Sequence, residues 1–485
     1  MTEGTVLLVV GAVLAASVAL AFGAARTGLP VLVAFLGLGM LLGSDGPGGI
    51  EFDDAELTRQ IGTIGLGLIL YEGGLQTSWR RLREVAVPAT LLSTVGVVVS
   101  TGVTAAAAHA LFDLTWLEAF LLGAVVASTD VAAVFATLRT THIRRKLART
   151  LEAESGGNDP MAIALTLGLI GWIEHPHSHA FLDLVWLVLR EIGIGLGVGA
   201  LLGLATMWIF ARIPESVGAF VPVASLAAAA LSYGAADVLG GSGFLAVYLV
   251  GLAVGSTPSR YRRQLATFHE GLAFVAQVGL FVMLGLLVFP HQLLHVALPG
   301  LALALLLVLV ARPAAVWAST AALRFTNRER LLLGWGGLRG AVPIVLATFA
   351  LSSHVGHSET IFNAVFFVVI VSALLQGTTL EWLARRLGLA SVPSPSSVRV
   401  ADTGPLSQLD LVEFVVAESH AVNGSAVREL GLPRDALVAA IERDGGTIPP
   451  RGSSRVRAGD RLFVVIPPRR RADLDDVFSR WRRLA

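Results

Sequence analysis

Cysteine is absent from the 485 residues, so the chain has no disulfide framework, no thiolate metal site and no redox clue to compartment. Charge is scarce too: 15% charged against 54% hydrophobic residues, with a mean hydropathy of +0.72, excludes an ordinary soluble domain. Lysine is nearly missing. One lysine stands against 35 arginines, a bias that with the alanine, glycine and valine load points to a GC-rich bacterial genome. No basic tract interleaved with aromatics occurs, and a net charge of +1 gives no reason to expect a nucleic-acid partner. The first apolar run follows Met-Thr-Glu-Gly with no positive segment ahead of it, so it reads as a retained span rather than a cleaved signal.

What the chain has in quantity is apolar runs of bilayer length. The expected spans are 5–24, 29–43, 60–76, 86–111, 117–138, 153–173, 191–211, 217–238, 243–256, 271–289, 296–322, 331–352 and 359–382, thirteen in all. Short cytoplasmic loops keep excess positive charge. Eighteen basic residues, from Arg26 to Arg386, fall on one side of this arrangement and two, Arg59 and Arg190, on the other. The N-terminus is therefore expected outside and the C-terminus in the cytoplasm. A Pro/Ser-rich linker, 390–407, separates the membrane domain, 1–389, from a small α/β module, 408–485. Strands are expected at 411–417, 436–442 and 461–466, a short helix at 425–430, a turn at 444–446 and a closing helix at 471–482.

Ionisable groups inside membrane spans are costly, and by default they handle ions or protons. Residues 152–160 read E-A-E-S-G-G-N-D-P at the mouth of an apolar run. Helical spacing stacks Glu154 on Asn158 and Ser155 on Asp159, and Gly156-Gly157 admits a close backbone neighbour. Ser128, Thr129 and Asp130 interrupt the fifth span with oxygens suited to a hard monovalent cation. Transporters commonly unwind a helix at such a place. In the twelfth span, G-W-G-G-L-R-G-A-V-P also argues for a broken helix, and Arg339 there needs either a carboxylate partner, Glu154 or Asp130, or a water-filled path. Glu72, Asp237 and Arg312 are further charges within apolar runs whose roles stay open. The H-P-H-S-H run at 175–179 reads as a solvated loop rather than a metal site. The glycine run from Gly193 lies within a span with no strand before it, so it marks close helix packing rather than a dinucleotide site.

These motifs resemble the bacterial monovalent cation/proton antiporters of the NhaP type, over the whole chain. The resemblance rests on S-T-D-V-A-A-V-F at Thr129-Asp130, E-S-x-x-N-D at Glu154, Ser155, Asn158 and Asp159, L-R-G-A-V-P around Arg339, and Q-G-T-T-L at Gln376. N-D-P-M-A and the C-terminal module are most similar to the potassium/proton branch. The module, with L-G-L-P, A-I-E-R-D-G and R-A-G-D-R-L, resembles the C-terminal (TrkA-C-like) subdomain of potassium-conductance regulators. The resemblance implies an all-α polytopic homodimer of thirteen spans with inverted repeats, in which broken spans five and twelve cross. Asp159 would take cation or protons in turn, helped by Thr129, Asp130, Ser155 and Asn158. The transported cation would sit on Asp159, Ser155 and Thr129, and Glu154 and Arg339 would form a stabilising ion pair. Asn at 158 places the chain with members expected to exchange one cation for one proton. The nucleotide-binding half that often precedes the subdomain is lacking, so no NAD or other cofactor is expected. A cyclic dinucleotide or nucleotide remains a candidate regulatory ligand.

A carboxyl group out of water favours its protonated form, whereas a bound cation favours the ionised form, so proton and cation compete for one site. Alternate opening of that site to each side yields obligatory exchange. A gated cation channel with a regulatory module is the alternative, but no T-V-G-Y-G-type filter is present. An intramembrane hydrolase using Asp130 and Asp159 would leave Asn158 and Arg339 without a role.

Overall fold

The computed structural model describes residues 2–27, 30–130, 133–134, 138, 142–175, 181–257, 259, 261–353, 355–391, 400–401, 410–443, 446–467 and 471–481. Most of the expected linker, the centre of the histidine loop, the first two residues of the 444–446 turn and residues 131–132 of the fifth-span motif lie outside these. The chain divides into two compact units, 1–390 and 391–485.

The first unit is helical. Its elements are α1 (Glu3–Thr27), α2 (Val31–Leu42), α3 (Ala55–Gln76), α4 (Trp79–Glu84), α5 (Ala86–Leu91), α6 (Val97–Phe112), α7 (Trp116–Val125), α8 (Arg145–Glu174), α9 (Phe181–Phe210) and α10 (Val221–Val238). They continue with α11 (Gly243–Ser256), α12 (Arg262–Leu286), α13 (Pro290–Leu306), α14 (Arg312–Thr320), α15 (Asn327–Trp335), α16 (Ala341–Ser352) and α17 (Ser358–Arg386). Among the described residues, seven helical stretches are long and apolar enough to cross a membrane, and four shorter apolar helices accompany them. A π turn, Leu92–Gly96, joins α5 to α6, and another, Leu307–Ala311, joins α13 to α14. Gly195 and Gly199 of the α9 glycine run pack closely, a Cβ at Gly199 standing 2.9 Å from the Ala246 Cα of α11, whereas Gly193 and Gly197 face open space.

Two helices break. Thr115 and Glu118 cap the start of α7 reciprocally, and Thr326 and Glu329 do the same for α15, so both half-helices have fixed beginnings. Their ends are set by composition. After Val125 come Ser128, Thr129 and Asp130, residue types that compete with helix for backbone groups; here Asp130 accepts from the Ala133 N–H and Thr129 Oγ1 from Asn158 Nδ2. After Trp335, Gly336 and Gly337 disfavour helix, and α16 resumes at Ala341 with Pro343 tolerated in its first turn. The helix bearing the 152–160 cluster is longer than expected: it starts at Arg145, so the cluster lies inside α8 rather than at its mouth. Pro160 sits within that helix and has no N–H to give the Gly156 carbonyl.

The second unit is a five-stranded antiparallel sheet of β1 (Val400–Ala401), β2 (Asp410–Val415), β3 (Leu437–Arg443), β4 (Gly446–Ile448) and β5 (Arg461–Ile466), with α18 (Arg471–Trp481). Spatial order is β1-β2-β5-β3-β4, with Val412 and Val438 both opposite Val464. Alternation along β5 buries Leu462, Val464 and Ile466 with Phe414, Phe478 and Trp481. The strand β4 was not expected from the sequence, and β1 lies in the stretch read as linker. The expected helix at 425–430 is a single 3-10 turn, Val427–Glu429.

Candidate functional site: crossed helix breaks beside buried carboxylates

The two breaks meet. The Asp130 backbone N–H donates to the Leu338 carbonyl at 2.7 Å, so the unwound end of α7 pairs with the unwound start of α16. Gly340 makes this possible: a Cβ there would lie 2.6 Å from the Asp130 Cβ and Cγ. The Asp130 carboxylate accepts from the Ala133 N–H at 3.1 Å.

The middle of α8 clamps the broken end of α7. Asn158 Nδ2 donates to Thr129 Oγ1 at 2.7 Å, and the Thr129 N–H approaches Asn158 Oδ1 at 3.4 Å. Ser155 Oγ donates to the Thr129 carbonyl at 2.7 Å. Asn158 is fully buried, and Ser155, Thr129 and Asp159 are nearly so. Gly156 fits beneath the Tyr248 ring, and Gly157 would place a Cβ 2.6 Å from Ser93 Oγ. Close approach of neighbours is the reason for that glycine pair, as its sequence suggests.

Arg339 is placed differently from the expectation. Glu154 is paired with Arg312, whose Nη2 meets Oε2 at 2.9 Å while Nη1 meets Oε1, both side chains being almost fully buried. Arg339 instead directs Nη1 to the carbonyls of Ala127 at 2.8 Å and Ser128 at 2.5 Å. The expected Glu154–Arg339 pair is therefore corrected to Glu154–Arg312. The physical reason is that unwinding α7 frees carbonyls at the negative end of a half-helix, and these satisfy a guanidinium as a carboxylate would. Arg312, at the first turn after a π turn, then takes the carboxylate. The Arg339 N–H meets Ser372 Oγ at 3.2 Å, and Ser372 donates on to Gln376, whose amide holds the Trp335 carbonyl at 2.9 Å. Gln376 of the Q-G-T-T-L motif thus ties the end of α15 to α17.

A cavity of about 300 Å³ opens beside the crossing. Thr129, Asp130, Ser155 and Asp159 line it, and so do Glu72 and Glu152. The sequence left the role of Glu72 open and gave Glu152 none; the signal that could have found both is a carboxylate next to small residues, in Y-E-G-G and L-E-A-E. Asp159 Oδ1 is buried with no hydrogen-bond partner among the described residues. Of the carboxylates in this region, Glu154 is consumed by Arg312 and Asp130 accepts a backbone N–H. Among the described carboxylates, Asp159 alone presents a buried oxygen without a hydrogen-bond partner to the cavity, beside the equally unpartnered Ser128 Oγ. No group of three His, Cys, Asp or Glu with metal-holding geometry occurs among the described residues.

A helical membrane unit in which two broken helices cross against buried oxygens and carboxylates defines a secondary ion transporter, the class in which unwound helices build the substrate site. Residues 12–386 match the family described as sodium/hydrogen exchanger, transmembrane, and residues 411–479 match the TrkA-C domain. The chain belongs to the sodium/hydrogen exchanger family. It is 38% identical over 477 residues to the K(+)/H(+) antiporter NhaP2 of Shewanella sp. (strain MR-4), covering 97% of this chain and 83% of that one. The K(+)/H(+) antiporter NhaP of Alkalimonas amylolytica is 37% identical over 480 residues, covering 97% and 82%. The sodium proton antiporter MjNhaP1 of Methanocaldococcus jannaschii shares the fold with a TM-score of 0.70 at 23% identity, over 80% of this chain and 99% of that structure.

Proposed function

We propose that this chain exchanges one monovalent cation for one proton across the bacterial inner membrane, serving pH and cation homeostasis, with Asp159 as the group for which both compete. The observation that carries the assignment is the buried, unpartnered Asp159 Oδ1 on the cavity wall. Thr129, Asp130 and Ser155 add oxygens around the cation. Asn158 holds Thr129 in place and, being neutral, leaves one titratable group fewer at the crossing, which supports electroneutral exchange. The names of the two relatives at 37–38% identity support potassium over sodium as the substrate. The working form is a homodimer, with its N-terminus outside, its C-terminus in the cytoplasm and a small regulatory ligand on the TrkA-C domain.

In proteoliposomes, the Asp159→Asn variant is expected to lose potassium-dependent proton efflux while remaining monodisperse by size exclusion. Exchange retained in that folded variant overturns the assignment. An imposed membrane potential should leave the wild-type rate unchanged. Potassium flux with lumenal pH uncoupled from it is what a gated channel would give.

A further inference from the structure

A second cavity, of about 330 Å³, lies on the arginine-rich face of the membrane unit, where the start of α5, the start of α8 and the connection from α14 to α15 meet. Lys146, Arg149 and Arg324 line it with one carboxylate, Glu84. Arg149 is paired with Glu84, so two positive charges remain in excess. Lys146 is the chain's single lysine. Its Nζ stands 3.6 Å from the centre of the Phe325 ring and donates to the Arg324 carbonyl at 2.7 Å, which fixes the ammonium at the cavity edge with hydrogens to spare. An ammonium is a compact point charge suited to a phosphate oxygen. Val85 and Phe325, both largely buried, give the cavity its apolar lining, with Phe325 directly beneath the Lys146 ammonium. Beside it α4, W-R-R-L-R-E, exposes Trp79, the composition of a segment at headgroup level.

We infer that this cavity binds the phosphate of an anionic phospholipid, held by Lys146, Arg149 and Arg324, with the glycerol and upper acyl chain against Val85 and Phe325. Excess positive charge beside an apolar lining, on the face that the arginine distribution turns toward the anionic leaflet, distinguishes such a site from one for free phosphate. None of its residues belongs to the exchange cavity. Its position gives it a purchase on transport, because Lys146 and Asp159 lie on one helix, about 20 Å apart by helical rise.

The test is phosphatidylglycerol binding to the delipidated full-length protein, followed by native mass spectrometry with phosphatidylcholine as the reference. Wild type is expected to retain one phosphatidylglycerol per chain in preference to phosphatidylcholine. The double variant K146Q/R324Q should lower that affinity roughly 25-fold, about fivefold per charge, the equivalent of about 1 kcal/mol for each basic residue at an anionic surface. Lys146→Arg should stay near wild type. Arg212→Gln, on the same face but stacked on Trp208 away from the cavity, should change it less than twofold. Unchanged binding in the double variant, or an equal loss in Arg212→Gln, overturns the proposal. Displacement of the lipid by equimolar glycerol phosphate overturns it in favour of a soluble phosphate site. Should the double variant be polydisperse, exposed Lys146→Gln alone decides by the same criteria.

Discussion

Glu154 and Arg312 are a buried pair whose partners come from α8 and α14, 158 positions apart in sequence. Removing one member of such a pair leaves an uncompensated charge and costs about 3–5 kcal/mol, whereas replacing both by apolar groups costs far less. Glu154→Gln and Arg312→Met are each expected to lower the thermal midpoint of the purified protein sharply, and Glu154→Leu with Arg312→Met to recover most of the loss. A double-mutant cycle should give strong coupling between 154 and 312 and weak coupling between 154 and 339; the reverse would restore the pairing expected from sequence. The identities of the buried polar residues were legible in the chain, because each interrupts an apolar run. Their pairing was not. Two arginines compete for Glu154, and the choice depends on carbonyls that exist as acceptors only once α7 has unwound.

Both helix breaks could be read from composition, since Gly336, Gly337, Gly340 and Pro343 on one side and Ser128-Thr129-Asp130 on the other oppose a continuous helix. The contact that locks them together is local and steric. Gly340→Ala puts a Cβ against the Asp130 side chain, so one break must shift. The expected result is loss of most exchange activity with the protein still folded, checked by proton efflux alongside a thermal midpoint within a few degrees of wild type. Full activity would mean that the crossing is slack. The helical frame of α8 was also legible, through the four-residue spacings, but not its true start. Arg145–Glu152 is too charged to read as membrane span, although helix continues through it.

At the scale of the whole molecule, the change from apolar runs to alternating short strands marks where one unit gives way to the other, and the two rest on different physics. The second unit holds an ion pair that titrates outside the membrane. Arg443 grips both oxygens of buried Asp460, at 2.7 and 2.8 Å, and the Arg457 N–H adds a third contact at 2.7 Å. Burial alone would raise the Asp460 pKa, but Arg443 and the Arg457 amide outweigh it and hold the carboxyl below the usual aspartate range. A depressed carboxyl contributes stability that is present above the unfolded-state pKa, about 3.9, and is lost as pH falls through the lower folded value. Asp460→Asn should therefore weaken the sheet by about 1–3 kcal/mol at neutral pH and flatten its acid sensitivity, read by hydrogen exchange along Arg461–Ile466 in the full chain.

The two π turns bear on heredity. Each falls in the helical stretch directly before a broken one: Leu92–Gly96 precedes α7, and Leu307–Ala311 precedes α15. Each also serves the Glu154 region: Ser93 donates to the Glu154 carbonyl at 3.0 Å, and Arg312 follows Ala311 directly. A π turn holds one residue more than the α turn it replaces, so deleting one residue there restores α pitch while the flanking segments keep nearly the same facing. Loss of Val310 should therefore leave Arg312 opposite Glu154, with a thermal midpoint well above that of Arg312→Met. Chain length at these two points is thus freer than in the α segments around them, where the loss of a single codon turns every later residue by about 100° and acts as a missense change at the ion site.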